Sequence, residues 1–244
     1  MKRLYDKNEL TFALIWIGIF VVLLSIGDNL SAAIGIEKIL TMPLSIVVTV
    51  VLHRWISKHN LKEKYGLCPF SANLKTYLFF IPLVLLMSVN LWWGIAANFT
   101  YLETIFYIVS MLCVGYIEEV IFRGFLFKAI AGNNVKQAII ISSITFGMGH
   151  IVNLLNGSPL FDTLLQIFYA AAVGFVFTII FYKSNSLWPC IITHSVVNAL
   201  SAFMNEAKVT AMDNVVASIF MCVVSIAYAV YILKASRSSD GETQ

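Results

Sequence analysis

Charge is what this sequence has least of. Only 12% of its 244 residues are Asp, Glu, Lys or Arg, while 59% are hydrophobic; ordinary soluble domains carry roughly 25% charged residues. So few charges cannot cover a water-facing surface, which excludes a soluble globular protein and points to a polytopic membrane protein. A basic stripe with interleaved aromatics, the footprint of a nucleic-acid partner, is also missing. Cysteine is sparse: Cys68, Cys113, Cys190 and Cys222 stand singly, without CxxC or any metal-ligand spacing, and read as small hydrophobic filler. HExxH is absent, as is the intramembrane aspartate pair that an aspartyl protease would require. No internal repeat, low-complexity tract or long linker divides the chain. Residues 1–244 are therefore expected to form one integral-membrane domain.

What the chain does have is a succession of long apolar runs. A helix needs roughly 20 mainly apolar residues to cross the hydrocarbon core, and candidates lie at about 10–27, 36–56, 76–94, 104–128, 136–153, 162–182, 187–205 and 213–233. The expected fold is all-α, a bundle of about eight transmembrane helices around a buried polar site. The start, "MKRLYDKNEL" and an apolar run ending near Ser31–Ala33, has features of a cleaved leader. Asp28-Asn29 and the seven further runs favour a retained first span. With the N-terminus inside, one set of connectors and tails holds Lys2, Arg3, Lys7, Arg54, Lys58, Lys62, Lys64, Lys75, Lys128, Lys136, Lys183, Lys234 and Arg237. The other set holds only Lys38 and Lys208, and collects Asp28, Glu37, Glu103, Asp162, Glu206 and Asp213. Lys/Arg bias sets membrane orientation, so a multi-pass protein of the cell membrane with both termini cytoplasmic is expected.

Three ionisable residues belong to no connector: Glu118, Glu119 and Arg123, in "GYIEEVIFRGFLF". A charge at the centre of a spanning helix costs roughly 2.5–3.5 kcal/mol on insertion scales, so such residues normally face the protein interior and pair. Glu119 and Arg123 are i,i+4 in the favourable acid-before-base order. Glu118 lies about 100° round the helix and can point elsewhere. Two histidines join them: His150, closing "FGMGH", and His194 in "HSVVN", which shares a helical face with Asn198. His53 and His59 read as solvated members of the inner basic connector. At a rise of 1.5 Å per residue from the inner helix ends, Glu118 lies roughly 15 Å deep, His150 about 21 Å, His194 about 12 Å and Asn198 about 18 Å. A purely structural polar clamp is one reading of these residues. Convergence of three helices on one slab favours the other, a shared catalytic cavity.

A desolvated carboxylate beside a histidine can activate a water, and a second histidine with an amide can donate to a developing oxyanion. That inventory suits hydrolysis of a peptide bond, and no Ser/Lys or Ser/His arrangement of comparable geometry competes with it. Glu118, His150 and His194 could equally ligate zinc with an open fourth position. A glutamate mechanism needs no cofactor, and a metal-assisted one would use zinc.

EExxxR (Glu118, Glu119, Arg123), FxxxH (Phe146, His150) and HxxxN (His194, Asn198), in this order on successive apolar helices, resemble the CPBP family, the CAAX protease and bacteriocin-processing or Abi group. The resemblance covers residues 115–200 and implies an eight-helix intramembrane endopeptidase. In that reading Glu118 and His150 activate the water, His194 and Asn198 stabilise the oxyanion, and Glu119 and Arg123 support the site. Asn153 is either a supporting residue or a helix cap. The implied partners are the lipid bilayer and a peptide or membrane-protein substrate. The short chain, small loops and brief hydrophilic tail look bacterial, which favours peptide maturation, bacteriocin immunity or signalling over prenyl-protein processing. Two other classes compete: a non-catalytic immunity or scaffold protein of the same fold, and an ion- or proton-coupled transporter. The transporter predicts paired broken helices and repeat symmetry, and the sequence has neither.

Overall fold

The computed structural model describes residues 1–69 and 80–241, and among them the chain is helical with one isolated β-bridge, Ile95 to Met204. A short amphipathic helix, α1 (Lys2–Lys7), ends at Asn8, whose side chain caps α2 (Glu9–Ile34). Gly35, at φ +80°, supplies the left-handed residue that ends α2 and delays α3 to Thr41–Lys58. Next comes α4 (Ile81–Ser88), extended by one tight turn to Leu91. A Thr100/Glu103 capping box opens α5 (Tyr101–Glu119), which runs through a π-helical segment, Val120–Phe127, into α6 (Lys128–Ala131). The chain returns as α7 (Val135–Gly149) with a tight turn His150–Leu154, then α8 (Leu160–Ser184), α9 (Trp188–Leu200) and α10 (Ala211–Gly241).

Among the described residues, five helical stretches are long and apolar enough to cross a membrane: 9–34, 101–131, 135–154, 160–184 and 211–235. The other three expected spans are modified. The one expected at 36–56 starts at Thr41 and carries Arg54 and Lys58 in its last turns. The one expected at 76–94 begins outside the described residues and runs from Ile81 to Leu91 as a short apolar helix. That at 187–205 is α9 plus a tight turn ending at Phe203.

Hydrogen bonds tie the connectors into two opposite ends. At the first end Lys64 pairs with Glu9 and donates to the Tyr5 hydroxyl at 2.8 Å, and the Leu187 amide donates to the Gly66 carbonyl at 2.9 Å. At the second end the Glu37 amide donates to Glu103 Oε1 at 3.0 Å, Asn29 to Asn156 at 3.3 Å, and Asn98 to the Met204 carbonyl at 2.8 Å. Packing near the first end is dense and aromatic: Phe12 lies against Tyr5, Trp55 and Phe125, and Phe125 against Tyr65, with ring centroids 4.7–5.4 Å apart. His53 and His59 are half-buried and hydrogen-bonded rather than freely solvated. Because α3 runs on to Lys58, His53 Nδ1 reaches the Tyr116 hydroxyl at 2.9 Å, and His59 Nδ1 donates to the Trp55 carbonyl at 2.7 Å.

Candidate active site

The site lies where α5, α7, α8 and α9 meet. Between apolar helices in lipid the driving force is close packing, which small residues permit, and glycines set these approaches. A Cβ on Gly115 would come within 2.7 Å of Ser195 Cα on α9, and one on Gly147 within 2.6 Å of the Ile167 carbonyl on α8. Gly174 leaves room on α8 for the Arg123 guanidinium, which a Cβ there would meet at 3.0 Å. The π-helical segment begins directly after Glu119, a backbone form that concentrates at functional sites. Within it the Phe122 carbonyl accepts from Ser142 Oγ of α7 at 2.8 Å.

Glu119 and Arg123 are completely buried and paired, Arg123 Nη1 donating to Glu119 Oε1 at 2.9 Å. The guanidinium stands 4.0 Å over the Phe146 ring and 5.7 Å from that of Phe177, so aromatic faces take up part of its charge. Glu119 Oε1 also accepts from His194 Nδ1 at 2.8 Å. That bond fixes the imidazole's orientation and turns Nε2 toward Glu118, whose Oε2 lies 3.2 Å away. His194 is thus held between the two glutamates. The straight-helix expectation set Glu118 apart from Glu119; here both reach one ring, each at a different nitrogen.

A cavity of about 450 Å³ is lined by Glu118, His150, His194 and Asn198 together. Its walls also include Phe146, which packs edge-on against both His150 and His194 at 5.6 and 5.5 Å. His150 and the Asn198 amide have no side-chain hydrogen bond among the described residues, so their polar atoms are available to a guest in the cavity. The four expected catalytic residues and the two expected supports therefore come together. The nearest histidine to Glu118, however, is His194 rather than His150.

Residues 100–200 match the family model described as Type II CAAX prenyl endopeptidase Rce1-like. This segment is similar to the Rce1-like peptidase domain. It runs from the cap residue of α5 to the last residue of α9, and so contains every residue of the cluster. No curated protein and no solved structure matches the chain.

By residue type alone, Glu118, His150 and His194 could form a zinc site. Among the described residues no three His, Cys, Asp or Glu groups are placed to hold one ion. The arrangement does not fit a three-ligand zinc centre. Two residues of the site escaped the sequence reading. Gln166 of α8 accepts from Asn153 at 2.7 Å, and this bond ties the His150 turn to α8. Tyr107 of α5 bonds Ser201 at 2.9 Å and lines the cavity. A lone amide in the apolar stretch of α8 was the available signal for Gln166; Tyr107 had none.

Proposed function

We propose that this protein is an intramembrane endopeptidase in which Glu118 activates a water held in the cavity. The observation that carries this reading is the Glu119–His194–Glu118 arrangement on the cavity wall: a buried pair orients one imidazole against a carboxylate that is free to exchange a proton. Glu118 takes a proton as the water oxygen bonds to the scissile carbonyl carbon, with His150 helping to orient that water. The carbonyl oxygen becomes an oxyanion, to which Asn198 Nδ2 and His194 Nε2 donate. In this role His194 carries a proton on each nitrogen, one toward Glu119 and one toward the oxyanion. Glu118 then returns its proton to the leaving amine as the C–N bond breaks. The family's description names prenylated CAAX substrates. For this chain we favour an unprenylated peptide or membrane-associated protein in bacterial peptide maturation, immunity or signalling, with both termini cytoplasmic.

Cleavage of candidate peptides by the purified protein in detergent tests the reading. Glu118→Gln should lower the rate by about 10²–10⁴-fold, the usual contribution of a general base. His194→Ala should do likewise, and a chelator should leave the wild-type rate unchanged. Equal rates for wild type and both variants would remove the mechanism and favour a non-catalytic immunity or scaffold protein. The Nδ1 bond to Glu119 supports a second reading, with His194 Nε2 itself the base. Under it, Glu118→Gln retains most of the activity while His194→Ala abolishes it.

A further inference from the structure

Resting on the peptidase reading, we infer that the cavity opens only toward the extracytoplasmic side, so that its substrate is a polypeptide segment presented there, such as an exported peptide. The cavity's lining runs from the middle of the bundle, at Phe177 and Thr193, to the second end. It begins at the level of Glu118 and His194 and rises past Tyr107 and Asn153 to Asp28 and Lys38. A surface hollow of about 200 Å³ shares Asp28 and Lys38 with it and is bounded by Asn156, so the mouth lies among the connectors of that end.

The half below Glu118 is filled instead. Phe12, Tyr65, Phe125, Phe127, Phe181 and Leu187 are all at most 2% exposed. Gly66, at φ +65°, is wedged so tightly that a Cβ would meet the Asn185 carbonyl oxygen at 2.8 Å. Among the described residues no opening passes this packing. The filled end is also the basic end: it holds α1 with Lys2, Arg3 and Lys7, the connector with Lys62 and Lys64, and Lys136. The open end holds Lys38 and Lys208 alone. Excess Lys and Arg stays on the cytoplasmic side, so the filled end faces the cytoplasm and the mouth faces away from it.

The test is labelling from each side of the membrane, with the full chain in which Cys68, Cys113, Cys190 and Cys222 are replaced by Ala. Single cysteines are then placed in the cavity (Met111→Cys), at the second end (Asn156→Cys) and at the first end (Lys62→Cys). The probe is a negatively charged, membrane-impermeant methanethiosulfonate. In intact cells Met111→Cys and Asn156→Cys should be modified and Lys62→Cys should not; in inverted membrane vesicles the pattern should reverse. Modification of Met111→Cys only in inverted vesicles, or from neither side, overturns the proposal, as does any reversal of the two end markers. Val197→Cys, on the α9 wall of the same cavity, repeats the test should Met111→Cys fail to accumulate. Labelling needs no turnover, so a protein that labels as expected but cleaves nothing would sink the peptidase reading and leave the access route standing.

Discussion

Arg123 is a guanidinium with no exposed surface, answered by one bond to Glu119 and two aromatic faces. Its Nε and Nη2 and the second Glu119 oxygen have no hydrogen-bond partner among the described residues. Removing one member of such a pair strands the other, which typically costs about 3–5 kcal/mol, whereas replacing both by apolar or neutral groups of similar volume is far milder. Arg123→Ala should therefore lower the melting temperature in detergent strongly. The double variant Glu119→Gln/Arg123→Met should recover much of that loss. Activity should not recover with it, because the carboxylate that orients His194 through Nδ1 is gone. Recovery of both together would reduce Glu119 and Arg123 to a packing role, and recovery of neither would leave the pair's effect unexplained by stranded charge.

At the scale of helices the decisive contact is the approach of α5 to α9. Gly115 lies one turn before Glu119, and the space a Cβ would need there is occupied by Ser195 backbone, which cannot swing aside. Gly115→Ala should push the two helices apart and lengthen both glutamate contacts to His194. A misplacement of about 1 Å can cost about 10²-fold in rate, so kcat for peptide cleavage should fall far more than stability does. Gly18 of α2 meets nothing within 4 Å. Gly18→Ala should leave activity unchanged and add a few tenths to about 1 kcal/mol of stability. The apolar runs made these helices legible from sequence, because length and hydropathy are local properties. Pairing was less so. The i,i+4 rule found Glu119 with Arg123, which share one helix. The bond from His194 to Glu119 joins residues 75 apart and depends on an interhelical approach that no periodicity reports. The π-helical segment is equally silent, since its residues keep the same apolar pattern as a regular helix. His53 was misjudged for a related reason: the basic residues Arg54 and Lys58 suggest a solvated connector, yet α3 continues through His53 to Lys58 and holds its ring against Tyr116.

Across the whole molecule the two halves of the bundle do different work. Near the first end, aromatic side chains interlock: Phe125 alone faces Phe12, Trp55 and Tyr65, with centroids 5.0–6.0 Å away. Toward the second end the same helices line the cavity. Stability should therefore be concentrated in one half and activity in the other, a separation that paired substitutions can measure. Phe125→Ala removes a fully packed ring and should cost about 3–5 kcal/mol through lost contacts and the void left behind. Met111 borders open space on the cavity wall, so Met111→Trp fills a hollow rather than overpacking a core. It should keep the wild-type melting temperature in detergent while excluding substrate and suppressing cleavage. If Met111→Trp unfolded the protein as readily as Phe125→Ala, the half nearest the second end would be packed and the cavity could not admit a peptide. If it cleaved at the wild-type rate, substrate would reach Glu118 by a route that bypasses the cavity.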